Sequence, residues 1–186
     1  MVYTIMVDMD QTLIESVGPE NTRYEKSNGK VVTYDAFFEL DGIPIHQSHT
    51  IKVSVRPMAI EMVQSIVNSG HRYILWSAGT YEYVHAVMAY FISIAGVSPE
   101  IIYTRGDMVA FGNSKYKSMT SKGYRLEEFI ILEDNPNLVH PNERDRIVKV
   151  DPWEFENKHD MEMLWVTQLF QLYSFNKMRN VRLVQA

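Results

Sequence analysis

Five short apolar runs, each stopped by polar residues or by proline, constrain this chain most. They are Thr4-Ile5-Met6-Val7, Tyr73-Ile74-Leu75-Trp76, Ile101-Ile102-Tyr103, Phe129-Ile130-Ile131-Leu132 and Ile147-Val148-Lys149-Val150. Runs of this length suit strands buried on both faces of a parallel sheet. Helical patterns fall between and after them. Met58 to Asn68 repeats apolar residues at Ile60, Met62, Val63, Ile66 and Val67, with Gly70 placed as a C-terminal cap. Tyr81 to Ala95 is a second helix. After Pro152, Met161 to Tyr173 is a third, with Leu164, Trp165, Leu169, Phe170 and Tyr173 on its expected buried stripe. This alternation predicts an α/β fold, a Rossmann-like parallel sheet flanked by helices.

The segment from Glu15 to Lys52 breaks the pattern. Lys30–Tyr34, Ala36–Leu40 and Ile43–His46 are β-rich, and Asn28-Gly29 and Asp41-Gly42 are hairpin signals. The expectation is a small antiparallel β-hairpin flap, at about residues 15–52, inserted after the first strand of one domain spanning 1–186. Tyr34, Phe37 and Phe38 are expected on its packed face, with a peptide groove as the alternative. His46 and His49 are expected to be incidental.

In open parallel sheets, ligands bind beyond the carboxyl ends of the strands. Here those ends carry Asp8 and Asp10, then Ser77, then Asp134. Composition narrows the chemistry. The chain has no cysteine, which excludes disulfides, thiolate metal sites and a Cys nucleophile. Its net charge is −5, against general nucleic-acid binding. No run approaches the roughly 20 apolar residues that span a bilayer, and Met1 to Val7 lacks a basic flank, so no membrane association is expected and the location is expected to be cytoplasmic or nuclear.

Phosphoryl transfer fits the residues gathered at the strand ends. It needs a nucleophile, a proton donor for the leaving group, positive charge against the phosphoryl oxygens, and commonly Mg²⁺ held by hard oxygens. Asp8, Asp10 and Asp134 offer the first two and the ligands. Ser77-Ala78-Gly79-Thr80 offers a hydroxyl and backbone N–H groups. Lys115, Lys117 and Lys122 compete to offer the cation.

Asp8-Met9-Asp10-Gln11-Thr12-Leu13, Leu75-Trp76-Ser77-Ala78 and Ile131-Leu132-Glu133-Asp134-Asn135 resemble the three motifs of the haloacid dehalogenase superfamily of aspartate-nucleophile phosphatases. Over nearly its whole length the chain is similar to the small phosphatases of the RNA polymerase II C-terminal domain, the FCP/SCP-like or NLI-interacting-factor-like branch. Phe38-Glu39-Leu40-Asp41-Gly42 resembles their hairpin insertion, Val55-Arg56-Pro57 their Arg-Pro segment, and Trp76 to Tyr83 their Thr-Ala-Ser-x-x-x-Tyr segment. Asp134-Asn135-Pro136 stands for their Asp-Asn-Ser-Pro, one residue shorter.

The resemblance implies a HAD-like fold and a phosphoric monoester hydrolase dependent on Mg²⁺. Asp8 is implied as the nucleophile and Asp10 as the acid and then base. Thr12, Ser77 and Arg105 are implied to bind the substrate phosphate, and Lys117 to neutralise it. Asp8, the Asp10 backbone carbonyl and Asp134 are implied to hold the metal, with Asn135 supporting. The implied partner is a phosphoprotein or phosphopeptide carrying phosphoserine or phosphothreonine. A small molecule, a nucleotide or a nucleic-acid end remains open as substrate. So does a non-catalytic scaffold role, although such relatives typically lose one of the two aspartates and both stand here. Arg56 is expected to pair with a carboxylate, and Trp76 to lie in the core. Oligomeric state is left open.

Overall fold

A computed structural model describes residues 2–175 of the chain. Met1 and residues 176–186 of the expected domain therefore lie outside the described residues, as does the side chain of Tyr173. Five strands form one parallel sheet: β1 (Thr4–Val7), β5 (Arg72–Trp76), β6 (Ile101–Tyr103), β9 (Phe129–Glu133) and β10 (Ile147–Lys149). Their order is β10-β9-β1-β5-β6, with β1 central. All five predicted runs are strands, within a residue of the expected ends.

The alternation of side chains along these strands builds two cores. Ile5, Val7, Tyr73, Leu75, Ile130 and Leu132 face the helices α1 (Ala59–Asn68), α2 (Tyr81–Ala95) and α3 (Glu162–Phe175). Met6, Ile74, Trp76, Phe129 and Ile131 face the other way, onto Met119 and Val139. That second face is covered by the connections between β6 and β10, which contain short 3-10 turns and a small hairpin of β7 (Val109–Phe111) and β8 (Ser114–Tyr116). Trp76 is wholly buried there, as expected. On α3 the buried stripe is Met163, Val166 and Phe170, while Trp165 is exposed. Of the expected stripe, Phe170 is buried and Leu169 packs partly buried against the core, while Met163 and Val166 take the places expected of Leu164 and Trp165.

The insertion is a three-stranded antiparallel sheet in the order β2-β4-β3, from β2 (Ile14–Val17), β3 (Lys30–Leu40) and β4 (Ile43–Val55). Lys30–Tyr34 and Ala36–Leu40 are one continuous strand, because Asp35 pairs in register with Ser48 and breaks nothing. Asp41-Gly42 makes the two-residue turn, with φ of 51° and 78°. Two positive φ values belong to the turn whose twist matches the flanking strands. Asn28-Gly29 does not turn a hairpin; it leads into β3. Phe37 and Phe38 are 68% and 46% exposed, so they are not a packed face: they stand on the outer part of a ribbon that runs beyond the parallel sheet. No helix among the described residues is long and apolar enough to cross a membrane.

Candidate active site

The site lies at the carboxyl end of β1, where the chain leaves the sheet. Asp8 keeps the ladder for one more bond, its N–H donating to Leu132 O at 2.9 Å. The chain then doubles back: Leu13 and Ile14 N–H both donate to Met9 O. Gln11 takes a φ of 60°, in the left-handed region that a residue with Cβ rarely enters. This turn puts Asp8, Asp10 and Thr12 around one opening.

β9, the neighbour of β1, ends in Glu133 and Asp134. One carboxylate oxygen each from Asp8, Glu133 and Asp134 lies within 4.8 Å of the others. Lys117 comes from the polar piece after β8 and is wholly buried. Its ammonium donates to Asp8 Oδ1 and, at 2.7 Å, to Glu133 Oε2. Burial alone would pull the Lys117 ammonium down, but the charges of Asp8 and Glu133 outweigh it and hold it above its ordinary value. Lys115 is exposed, and Lys122 pairs with Asp107 at 3.2 Å. Of the three competing lysines, the structure brings Lys117 to Asp8.

The carboxylate of Asp10 turns away from that cluster. Its Oδ1 accepts from Tyr83 Oη, and its Oδ2 accepts from Ser77 Oγ at 3.0 Å. Tyr83 reaches it from the first turn of α2, and the chain allows the approach at Gly79, where a Cβ would stand 2.6 Å from the Tyr83 ring. Burial, then the charge of Asp8, raises Asp10 from 3.8 to about 6. The same two causes, in the same order, raise Asp134 to about 6 and Glu133 above its ordinary value. Burial and then the charge of Asp10 raise Tyr83, so its hydroxyl remains a donor.

The remaining expected residues fall as follows. Thr12 Oγ1 donates to Asp134 Oδ1 at 3.2 Å, and Ser77 Oγ also accepts from Gly79 N–H at 2.9 Å, so each hydroxyl touches one of the site's aspartates, Thr12 reaching Asp134 and Ser77 reaching Asp10. Arg105 is exposed, and its Nε donates to Ala78 O at 2.7 Å. It shares with Asp10, Tyr34, Tyr83 and the 78–80 backbone a cavity of about 450 Å³. Asn135 meets the cluster through its backbone, whose N–H donates to Glu133 Oε1 at 3.2 Å, while its side-chain Oδ1 accepts from Asn137 N–H at 3.3 Å and caps the turn after β9. Arg56 pairs with Asp160, as expected of it. His49 stacks on Tyr34 and His46 on Phe37.

Sequence reasoning missed Glu133 and Tyr83 as members of the site. Glu133 carried a usable signal, an acid next to Asp134 at the end of an apolar run. Tyr83 stands at the tyrosine of the Thr-Ala-Ser-x-x-x-Tyr segment, but nothing in the sequence tied that ring to Asp10.

Three hard carboxylate oxygens at this spacing, two of them buried, suit Mg²⁺ by donor type. The acidic cluster is Asp8, Glu133 and Asp134, and it includes the two side chains, Asp8 and Asp134, expected as metal ligands.

A family model described as NLI interacting factor-like phosphatase matches residues 3–182. The chain belongs to that family. Solved structures similar to this NLI interacting factor-like phosphatase domain include Fcp1, described as an essential RNA polymerase II CTD phosphatase, at 17% identity and a TM-score of 0.62. The match covers 93% of this chain and 51% of that one. A variant of fission yeast Fcp1 bound to beryllium fluoride matches at 15% identity and a TM-score of 0.60, covering 93% and 52%. The chain thus spans about half the length of these solved relatives. At such identities the likeness carries the fold alone, a parallel α/β sheet with an antiparallel insertion. A search of the curated proteins gave no match.

Proposed function

We propose that this chain is a Mg²⁺-dependent phosphatase that hydrolyses phosphomonoesters through an aspartyl-phosphate on Asp8, acting on phosphoserine or phosphothreonine of a protein. The observation that carries this reading is the buried Lys117 ammonium bridging Asp8 and Glu133, two residues before an Asp10 held apart by Tyr83 and Ser77. Two carboxylates with different surroundings suit two different tasks.

In the first step an Asp8 carboxylate oxygen attacks phosphorus, and the bond from phosphorus to the alkoxide oxygen breaks. Asp10, protonated up to about pH 6 by its burial, gives its proton to the leaving oxygen. In the second step Asp10 takes a proton from a water that attacks phosphorus, and the phosphorus–Asp8 bond breaks. Inorganic phosphate leaves, and Asp8 is regenerated. Lys117 stays charged throughout and offsets the negative charge on the phosphoryl oxygens. Thr12 and Ser77 exchange their carboxylate acceptors for those oxygens, and Arg105 faces the substrate at the rim. Asp8, Asp134 and either Glu133 or the Asp10 carbonyl would hold Mg²⁺, which would supply further positive charge against the phosphoryl oxygens. Asn135 supports that side by fixing the turn after Asp134.

The cavity beside Asp10 is walled by Tyr34 of the hairpin, with no larger cap among the described residues. Such a site admits a phosphorylated chain segment as well as a small ester. By likeness to Fcp1, the polymerase C-terminal domain is one such substrate, in a cytoplasmic or nuclear setting. The test is turnover on phosphopeptides, nucleotides and sugar phosphates with Mg²⁺. The reading expects phosphopeptides to give the highest kcat/KM. A preference for nucleotides or sugar phosphates would overturn the protein-substrate part, and no turnover on any of them would overturn the whole.

A further inference from the structure

The Asp8–Leu13 turn is tied down from the side away from the cavity. Gln11 O accepts from Trp153 N–H at 2.8 Å and from Arg56 Nη1 at 3.3 Å. Thr12 O accepts from the same Nη1 at 3.5 Å, and Arg56 N–H donates to Leu13 O at 2.9 Å. The other edge of the guanidinium is taken by one carboxylate: Nε donates to Asp160 Oδ1 at 3.0 Å and Nη2 to Asp160 Oδ2 at 2.9 Å. Asp160 Oδ1 also accepts Glu162 N–H at 3.1 Å, at the start of α3. Arg56 is 1% exposed.

We propose that Arg56, oriented by Asp160, is a positioning residue for the reaction: it fixes the Gln11 and Thr12 carbonyls and so fixes Asp8, Asp10 and Thr12 relative to one another. Gln11 sits between Asp10 and Thr12 in a backbone conformation that its own side chain disfavours. A conformation of that kind persists only where surrounding bonds over-determine it. The surrounding bonds here are these, and they come from the start of α1 and from the strap before α3, not from the pocket. The geometry requires an arginine. A guanidinium donates along one edge to a carboxylate in parallel and still has a nitrogen for two carbonyls, whereas an ammonium cannot span both. No charge of the brace faces the cavity, so its effect on the reaction passes through the backbone alone.

The kinetic arm of the test rests on the phosphatase reading, and a second arm does not. Arg56→Lys, Asp160→Asn and the double variant are compared with the wild type on p-nitrophenyl phosphate, with kcat normalised to the folded fraction. Each single variant should lose about tenfold to a hundredfold in kcat, the size expected of a sub-ångström to ångström displacement, with KM within about threefold. The double variant should be no worse than the poorer single one, because the two residues act as one unit. In the second arm, amide hydrogen exchange at Leu13 and Ile14 should speed up at least about tenfold in Asp160→Asn while Ile74 and Leu75 in the sheet stay protected. An unchanged kcat, multiplicative losses, or unchanged exchange at Leu13 and Ile14 would each overturn the brace. A role confined to stability would lower the unfolding midpoint but leave the normalised kcat intact, which also overturns it. If Arg56→Lys does not fold, Asp160→Asn decides alone. If the wild type turns over no phosphomonoester, the function proposed above fails and the exchange arm still decides this one.

Discussion

The Lys117 ammonium donates to Asp8 across 109 residues of sequence, in a position with no exposed surface. A buried ammonium stays charged only where carboxylates offset its desolvation, and Asp8 and Glu133 both do. The same contact sets a positive charge against Asp8, which lies next to two further acids. Lys117 is therefore tied to folding and to chemistry at once.

Replacing it separates the two. Lys117→Met leaves buried carboxylates facing one another, which should cost roughly 3–5 kcal/mol of stability in chemical denaturation and lower kcat by at least about 10²-fold. Adding Glu133→Gln to Lys117→Met should recover part of the stability and none of the activity. Lys115→Ala, on the exposed side of β8, should change stability by less than about 0.5 kcal/mol.

Tyr83→Phe removes the hydroxyl that Asp10 accepts, and that bond now holds Asp10 lower than burial would leave it. The limb of the kcat–pH profile that belongs to Asp10 should move to higher pH. A profile that does not move would show that Tyr83 has no hold on Asp10 during turnover.

Metal and pH should act on stability in opposite directions. Asp10 and Asp134 rise from 3.8 to about 6 in the folded protein, and Glu133 rises as well. Between those values the folded state binds more protons than the unfolded one. Stability of the metal-free protein therefore falls as pH rises through about 4 to 6, with Glu133 extending the fall upward. Mg²⁺ would bind the deprotonated cluster, so it should stabilise the fold most near neutral pH, by about 2.7 kcal/mol at a hundred times its Kd, and raise the midpoint accordingly. Thermal scans in EDTA and in Mg²⁺ at several pH values check this. A midpoint in EDTA that rises through that window, or one at neutral pH that ignores Mg²⁺, would contradict it.

The parallel sheet was legible because its three inner strands are buried on both faces, so β1, β5 and β9 read as apolar runs with acids or hydroxyls at their carboxyl ends. Asp8, Asp10, Ser77 and Asp134 followed from that rule. What composition and spacing left open was set by contacts between distant segments. Lys117 differs from Lys115 and Lys122 only in which lysine the turn after β8 aims at β1. Tyr83 gains its role from Gly79 and from the pitch of α2. Tyr34 packs against the core as expected, but Phe37 and Phe38 were misread, because alternation does not show how far along a strand its sides are covered.

That difference is measurable. Phe37→Ser and Phe38→Ser remove side chains that are 68% and 46% exposed, and each should move stability by no more than about 0.5 kcal/mol in urea denaturation. A packed face would lose roughly 3–5 kcal/mol on losing a phenylalanine.

The central claim is covalent chemistry at Asp8. During turnover of p-nitrophenyl phosphate with Mg²⁺, acid quenching followed by mass spectrometry should find one phosphoryl group on the peptide containing Asp8, sensitive to hydroxylamine as an acyl phosphate is. Asp8→Asn should show neither the adduct nor turnover while keeping the wild-type circular dichroism spectrum. Full Mg²⁺-dependent turnover by Asp8→Asn, with no adduct on the wild type, would contradict the account.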